Sequence, residues 1–85
     1  MVTNAASEAI DEIGCRPADV SWRYVQGDWG DLPDEDKLAN EYALWLDYEL
    51  VGCHPLPDGT KIYMITDAKR TETLFMTAEE YEARR

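Results

Sequence analysis

The chain has 85 residues and carries 18 Asp and Glu against 8 Lys and Arg, a formal net charge of -10. That length suits one domain, residues 1–85, with a thin core, and excludes the large cofactor folds; a hydrophobic fraction of 45% with three Trp and five Tyr excludes a disordered acidic tail. The sign of the charge disfavours nucleic acid and anionic membrane as direct partners and selects a basic one.

The N-terminal part of the chain reads as helical. Asn4 is expected to cap a helix whose apolar residues Ala6, Ala9, Ile10 and Ile13 follow a three-and-four spacing, with Gly14 ending it. Pro17 suits the first turn of a second short helix, in which Val20 shares a face with Tyr24 or Val25 and which Gly27 stops. Gly27-Asp28-Trp29-Gly30-Asp31 reads as a tight loop. Asp31 is expected to cap a third helix over about residues 32–46, with Asp34, Glu35 and Asp36 in its first turn, where the helix dipole favours negative charge. Leu38, Tyr42, Trp45 and Leu46 form the stripe that this helix should bury.

From Glu49 the hydrophobic period changes to two. Strands are expected over residues 50–54, 61–66 and 71–76, with Pro57-Asp58-Gly59 as the first turn and Ile62 and Met64 on one face. Three strands with short links make an antiparallel meander. Thr77 and Glu80 form a capping box that opens a terminal helical turn carrying Tyr81. The expected fold is therefore α+β, with N-terminal helices packed on a small three-stranded antiparallel sheet.

The charge is uneven along this frame. Residues 1–60 hold 13 acids and 3 bases, whereas residues 61–85 hold five of each. The densest run, residues 28–49, contains Asp28, Asp31, Asp34, Glu35, Asp36, Glu41, Asp47 and Glu49 against a single base, Lys37. An ordinary solvated face mixes signs, and a face of one sign carries self-repulsion that a mixed one avoids. Those eight carboxylates, together with Trp29, form the expected partner-binding surface. For Trp29 two readings stand: an exposed aromatic anchor, or a ring folded back over a thin core with its indole nitrogen on a loop carbonyl.

Residues for catalysis are scarce. Cys53 and His54 are neighbours in a strand and point to opposite faces, so they cannot act as nucleophile and base together. Two buried thiols, Cys15 and Cys53, and one surface imidazole are expected. HExxH, phosphate-loop and GxSxG motifs are absent. Asp28, Asp31, Asp34 and Asp36 could offer oxygens to calcium or magnesium but lack EF-hand spacing. A non-enzyme with no metal and no cofactor is expected. The residues before Asn4 lack the basic and apolar parts of a secretory leader, and no apolar run approaches the roughly 20 residues that span a bilayer. A cytoplasmic monomer with reduced thiols follows as the expectation.

The loop Gly27-Asp28-Trp29-Gly30-Asp31, the pair Asn40-Glu41, the segment Tyr63-Met64-Ile65-Thr66-Asp67-Ala68 and the closing Glu79-Glu80-Tyr81 resemble a family of small uncharacterised acidic bacterial proteins, many carried on plasmids and other mobile elements. The resemblance spans about residues 5–81, with departures at Lys69-Arg70-Thr71 and Phe75-Met76-Thr77-Ala78. It implies a dispensable gene moving among bacteria. Size and charge are similar to those of anti-CRISPR and antirestriction inhibitors that imitate DNA. The implied function is non-enzymatic inhibition of a host nucleic-acid-targeting defence complex, with the acidic surface occupying a basic nucleic-acid site. The alternative is a small acidic interaction module or antitoxin bound to a basic protein.

Overall fold

Thr3, not Asn4, caps the first helix: its hydroxyl accepts from the Ala6 N–H at 3.2 Å in the computed structural model, which describes residues 1–84. The helix α1 (Asn4–Glu12) buries Ala6 and Ile10 and ends where Gly14 takes a left-handed conformation, φ +73°. Pro17 opens α2 (Pro17–Ser21), where its missing N–H leaves nothing unpaired, and Asp19 accepts from the Arg16 N–H. A short 3₁₀ turn, Tyr24–Gln26, follows. Val20 and Tyr24 turn into the core, and Val25 faces solvent.

The sheet comprises β1 (Leu50–Pro55), β2 (Lys61–Thr66) and β3 (Thr73–Thr77), paired antiparallel in the order β1-β2-β3. The fold is α+β. Gly52, Met64 and Phe75 are opposite one another, which puts Leu50, Ile62 and Met64 on the face that packs against Ala6, Ile10, Val20 and Tyr24. Cys53, Tyr63, Ile65 and Met76 lie on the other face. The third strand begins at Thr73, two residues later than the expected start, because Asp67 gathers the preceding link: its carboxylate accepts from the backbone N–H groups of Thr71 and Glu72.

Thr77 and Glu80 make the expected capping box at the start of α4 (Ala78–Ala83). Glu80 does more than cap, since it also accepts from the Thr3 hydroxyl at 2.6 Å and so ties the two ends of the chain together. Tyr81 stacks on Tyr63 with ring centroids 4.1 Å apart. Both sheet edges are covered, which removes the unpaired backbone that would otherwise recruit another strand. Val2 pairs in parallel with Phe75 on one side, and Gly30 pairs with Cys53 on the other.

The long helix α3 (Asp34–Leu46) departs most from expectation. It starts two residues late, with Pro33 at the cap position and no capping contribution from Asp31. Its expected buried stripe faces water: Leu38, Tyr42 and Leu46 are more than half exposed, and Trp45 is 86% exposed. The buried residues are Asn40 and Ala43. The Asn40 amide donates to the Val51 carbonyl at 2.6 Å and accepts from the Val51 N–H at 3.1 Å, so this side chain occupies the β1 edge as a strand would. The helix therefore lies along the sheet edge, and small Ala43 permits the approach.

The packing of Tyr24 on Gly52 is equally specific. A Cβ at Gly52 would stand 2.4 Å from Tyr24 Cδ1. The ring cannot slide away, because its hydroxyl bonds to Thr66 at 2.7 Å and to the Leu50 carbonyl at 3.3 Å. Gly52→Ala should therefore lower stability by about 1–3 kcal/mol through overpacking, against the small gain that alanine ordinarily brings inside a strand. Trp45→Ala should change stability by less than about 0.5 kcal/mol, as at other exposed sites. Denaturant unfolding of both variants checks this; a loss of about 3 kcal/mol or more in Trp45→Ala, typical of a buried Trp, would contradict the orientation of α3.

Candidate partner interface

The loop of residues 27–31 is built from its backbone outward. Gly27 and Gly30 both adopt left-handed φ, +87° and +76°. At Gly30 a Cβ would lie 1.9 Å from the Cys53 carbonyl oxygen, so only glycine fits. That closeness lets the Cys53 N–H donate to the Trp29 carbonyl at 3.0 Å and the Asp31 N–H donate to the Cys53 carbonyl at 2.7 Å. Asp28 accepts from the Gly30 N–H and from Arg23, whose guanidinium lies 2.8 Å away. These contacts hold the Asp28 carboxyl below its usual range, the Gly30 N–H contributing most.

Trp29 is corrected from a surface anchor to a core residue. It is 6% exposed, meets Tyr24 edge to face at 5.7 Å and donates its indole N–H to the Glu41 carboxylate at 3.0 Å. The fold-back reading anticipates the burial, but the acceptor is a carboxylate, not a loop carbonyl. His54 is corrected likewise. It is 3% exposed, and its Nε2 lies 2.7 Å from the Asp28 carbonyl. Nε2 donates in that contact, because a carbonyl oxygen can only accept, and buried Nδ1 finds no partner among the described residues.

The acids fall into four groups. Asp28 is half-buried and paired with Arg23, and exposed Asp31 lies 3.9 Å from Lys61. Asp34, Glu35 and Glu41 stand on the outward side of α3 among Leu38, Tyr42 and Trp45, at the three-and-four spacing of one helix face. Asp36 and Glu49 line a groove of about 480 Å³ between α3, β1 and α4, with Asn40, Tyr48, Tyr63 and Tyr81 among its walls. Asp47 ends α3 in the left-handed conformation, φ +56°. All of these but Asp28 are exposed, and none of Asp34, Glu35, Asp36, Asp47 or Glu49 enters an ion pair among the described residues.

The chemistry of the remaining groups is subdued. Burial pushes the Cys53 thiol up, away from the thiolate a nucleophile needs. Burial, with the adjacent Cys53, holds the Tyr63 phenol at about 12. Both thiols are free, Cys15 half-buried and Cys53 fully so. No cluster of three or more His, Cys, Asp or Glu side chains suited to a metal occurs among the described residues.

Two residues that position α3 escape a reading of periodicity. Asn40 is one, and its only signal is a poor helix former in mid-helix. The other is Arg70, at φ +60°, whose guanidinium donates to the carbonyls of Ala43 at 2.9 Å and Tyr48 at 2.6 Å. It caps the negative end of the helix from the β2–β3 link.

Compared with protein-family models, with curated proteins and with solved structures, the chain finds no match.

The lowered Asp28 carboxyl has a measurable consequence. A group depressed on folding contributes stability that is present above its unfolded pKa and is lost as pH falls through its folded value. Asp28→Asn, which keeps an acceptor for the Gly30 N–H but loses the charge facing Arg23, should be less stable than the parent at neutral pH. The gap should begin to narrow below about pH 4, the ordinary Asp value, and close as pH falls through the lower folded value. Denaturant midpoints at several pH values check this, and a gap independent of pH would show that the charge at Asp28 contributes nothing.

Proposed function

We propose that the protein is a non-enzymatic cytoplasmic inhibitor of a nucleic-acid-targeting defence complex, binding the basic surface that such a complex offers to DNA or RNA. The observation that carries this reading is the freedom of the carboxylates around α3: Asp34, Glu35, Asp36, Asp47 and Glu49 are exposed and outside any ion pair among the described residues. Glu41 is exposed too, while one of its oxygens takes the Trp29 indole N–H. A complex that binds nucleic acid through Lys and Arg gains much of its affinity by releasing counterions from phosphates. A folded display of carboxylates competes for the same cations. Partner-binding residues in this reading are Asp31, Asp34, Glu35, Asp36, Glu41, Asp47 and Glu49, with Asp28 shaping the loop and Trp29 supporting it from within. The resemblance to mobile-element proteins agrees with a counter-defence role. No helix among the described residues is long and apolar enough to cross a membrane.

One observation favours the second reading, an antitoxin or interaction module on a basic protein. The outward side of α3 is aromatic as well as acidic, with Tyr42 and Trp45 exposed, and a backbone mimic of DNA needs no apolar anchors.

Asp34→Asn, Glu35→Gln and Asp36→Asn in one chain should leave the fold intact, since dipole contributions at an exposed first turn are small. Inhibition of a susceptible restriction or CRISPR nuclease should fall by at least about tenfold, equivalent to about 1.4 kcal/mol. Binding of the parent should weaken steeply between about 50 and 200 mM salt, and duplex DNA should compete. A folded triple variant that inhibits like the parent would remove these carboxylates from the inhibitory surface.

A further inference from the structure

We infer that the outward side of α3 is a docking face for a basic amphipathic helix of a partner protein. This rests on the reading that the acidic face meets a basic protein, and it specifies how that contact is anchored. Leu38, Tyr42, Trp45 and Leu46 recur at i, i+4, i+7 and i+8, so they form one continuous ridge. Their exposures are 56%, 61%, 86% and 56%. Isolated apolar residues on a surface are ordinary, whereas a contiguous row of four large ones marks an interaction site. The row runs along about 12 Å of the helix axis, from Leu38 to Leu46, a ridge that another helix can cover by packing ridge into groove.

Charge selects the occupant. Asp34 precedes Leu38 by one helical turn and Glu41 precedes Trp45 by one, while Glu35 stands two turns before Tyr42. Leu38 and Trp45 thus each have an acid one turn before them, and Lys37 is the one base within residues 28–49. A second copy of the chain is a poor occupant: whether two α3 helices pair parallel or antiparallel, acids oppose acids and nothing neutralises them. An anionic membrane or a nucleic acid meets the same repulsion. A helix with apolar residues on one side and Lys or Arg at its flanks satisfies both the ridge and its rims. The stripe is free to serve this purpose because Asn40, Ala43 and the Arg70 cap hold the opposite side of α3.

The test uses the intact protein and three labelled synthetic peptides of about 18 residues, long enough to fold on contact. One has a Leu face and Lys flanks, one has the same Leu face with Glu flanks, and one has Lys flanks with Ser in place of Leu. Fluorescence anisotropy should show saturable binding of the Lys/Leu peptide at least about tenfold tighter than either control, a step of about 1.4 kcal/mol. Trp45→Ser and Leu38→Ser, each checked by circular dichroism and melting, should weaken that binding about tenfold or more, as loss of an interface anchor does. Equal binding of the Lys/Leu and Glu/Leu peptides would overturn the inference in favour of indiscriminate apolar adhesion. Equal binding of the Lys/Leu and Lys/Ser peptides would overturn the inference too, since the acids alone would then make the contact. A dimer in sedimentation that Trp45→Ser dissociates would make the second copy the occupant, and no binding of any peptide would overturn the inference outright. Nuclease inhibition is scored separately with the neutralised triple variant, so the two proposals can fail independently.

Discussion

Everything on one side of the molecule depends on the close approach of Gly30 to the Cys53 carbonyl. With no side chain at Gly30, the backbone of the 27–31 loop can lie against β1 as a short parallel strand, exchanging hydrogen bonds at 2.7 and 3.0 Å. That contact sets the level at which Trp29 enters the core, and the Trp29 indole reaches out to Glu41 on α3. It also places the Asp28 carbonyl against His54, where it accepts from Nε2 of that buried histidine. Arg23 closes the loop from the 3₁₀ side through Asp28. A loop that reads as a recognition motif because it is rich in acids and carries a tryptophan is therefore mainly a device for covering a sheet edge. Gly27 is accounted for by its left-handed backbone, Gly30 by close packing, and Asp28 and Trp29 by hydrogen bonding.

The same dependence explains which parts of the structure were legible from the chain. Strand alternation at Ile62 and Met64, the turn at Pro57-Asp58-Gly59 and the Thr77–Glu80 capping box are local signals, and local signals survive folding because no distant partner is needed to express them. Gly14 and Gly27 mark helix ends for the same reason. The orientation of α3 was illegible because periodicity reports only that a helix has an apolar side, not that the fold has room for it. Here the core face of the sheet is already filled by Ala6, Ile10, Val20, Tyr24 and Trp29. The open place is the β1 edge, which needs a donor and an acceptor, and Asn40 supplies both. An unpaired backbone group costs about 1–3 kcal/mol once buried, so the edge favours the amide over another apolar contact. His54 was misplaced for a related reason: its partner is a backbone carbonyl 26 residues away, which no spacing rule reveals.

The acidic run was legible as composition, but its division of labour was not. Asp28, Asp31 and Glu41 look equivalent in sequence, yet the first braces a loop, the second lies near Lys61 and the third accepts from an indole. Asp47 serves as a helix stop, tolerated because aspartate is among the few residues other than glycine that enter the left-handed region. Its charge sits at the negative end of α3, where the dipole disfavours it. Arg70 offsets this from the β2–β3 link and joins the helix to the hairpin.

That use of bases bears on why the outward face stays unneutralised. Of the chain's eight Lys and Arg, Arg23 is committed to Asp28, Lys61 lies near Asp31 and Arg70 serves the end of α3. Each is held by a geometric demand of the scaffold, and none faces Asp34 or Glu35. A protein selected only for stability would place a Lys four residues after such acids on the same helix, which stabilises an exposed helix by a few tenths of a kcal/mol per pair. Two of the positions that could do so, Leu38 after Asp34 and Trp45 after Glu41, are instead large and apolar, and Lys37, three residues after Asp34, is the one base on the helix. Each apolar residue there forgoes a helix-stabilising pair and exposes hydrophobic surface at the same time. Two unfavourable choices at matched spacing would be offset together by one compensation, the basic helix proposed above, which would supply both the cations and the apolar cover on binding.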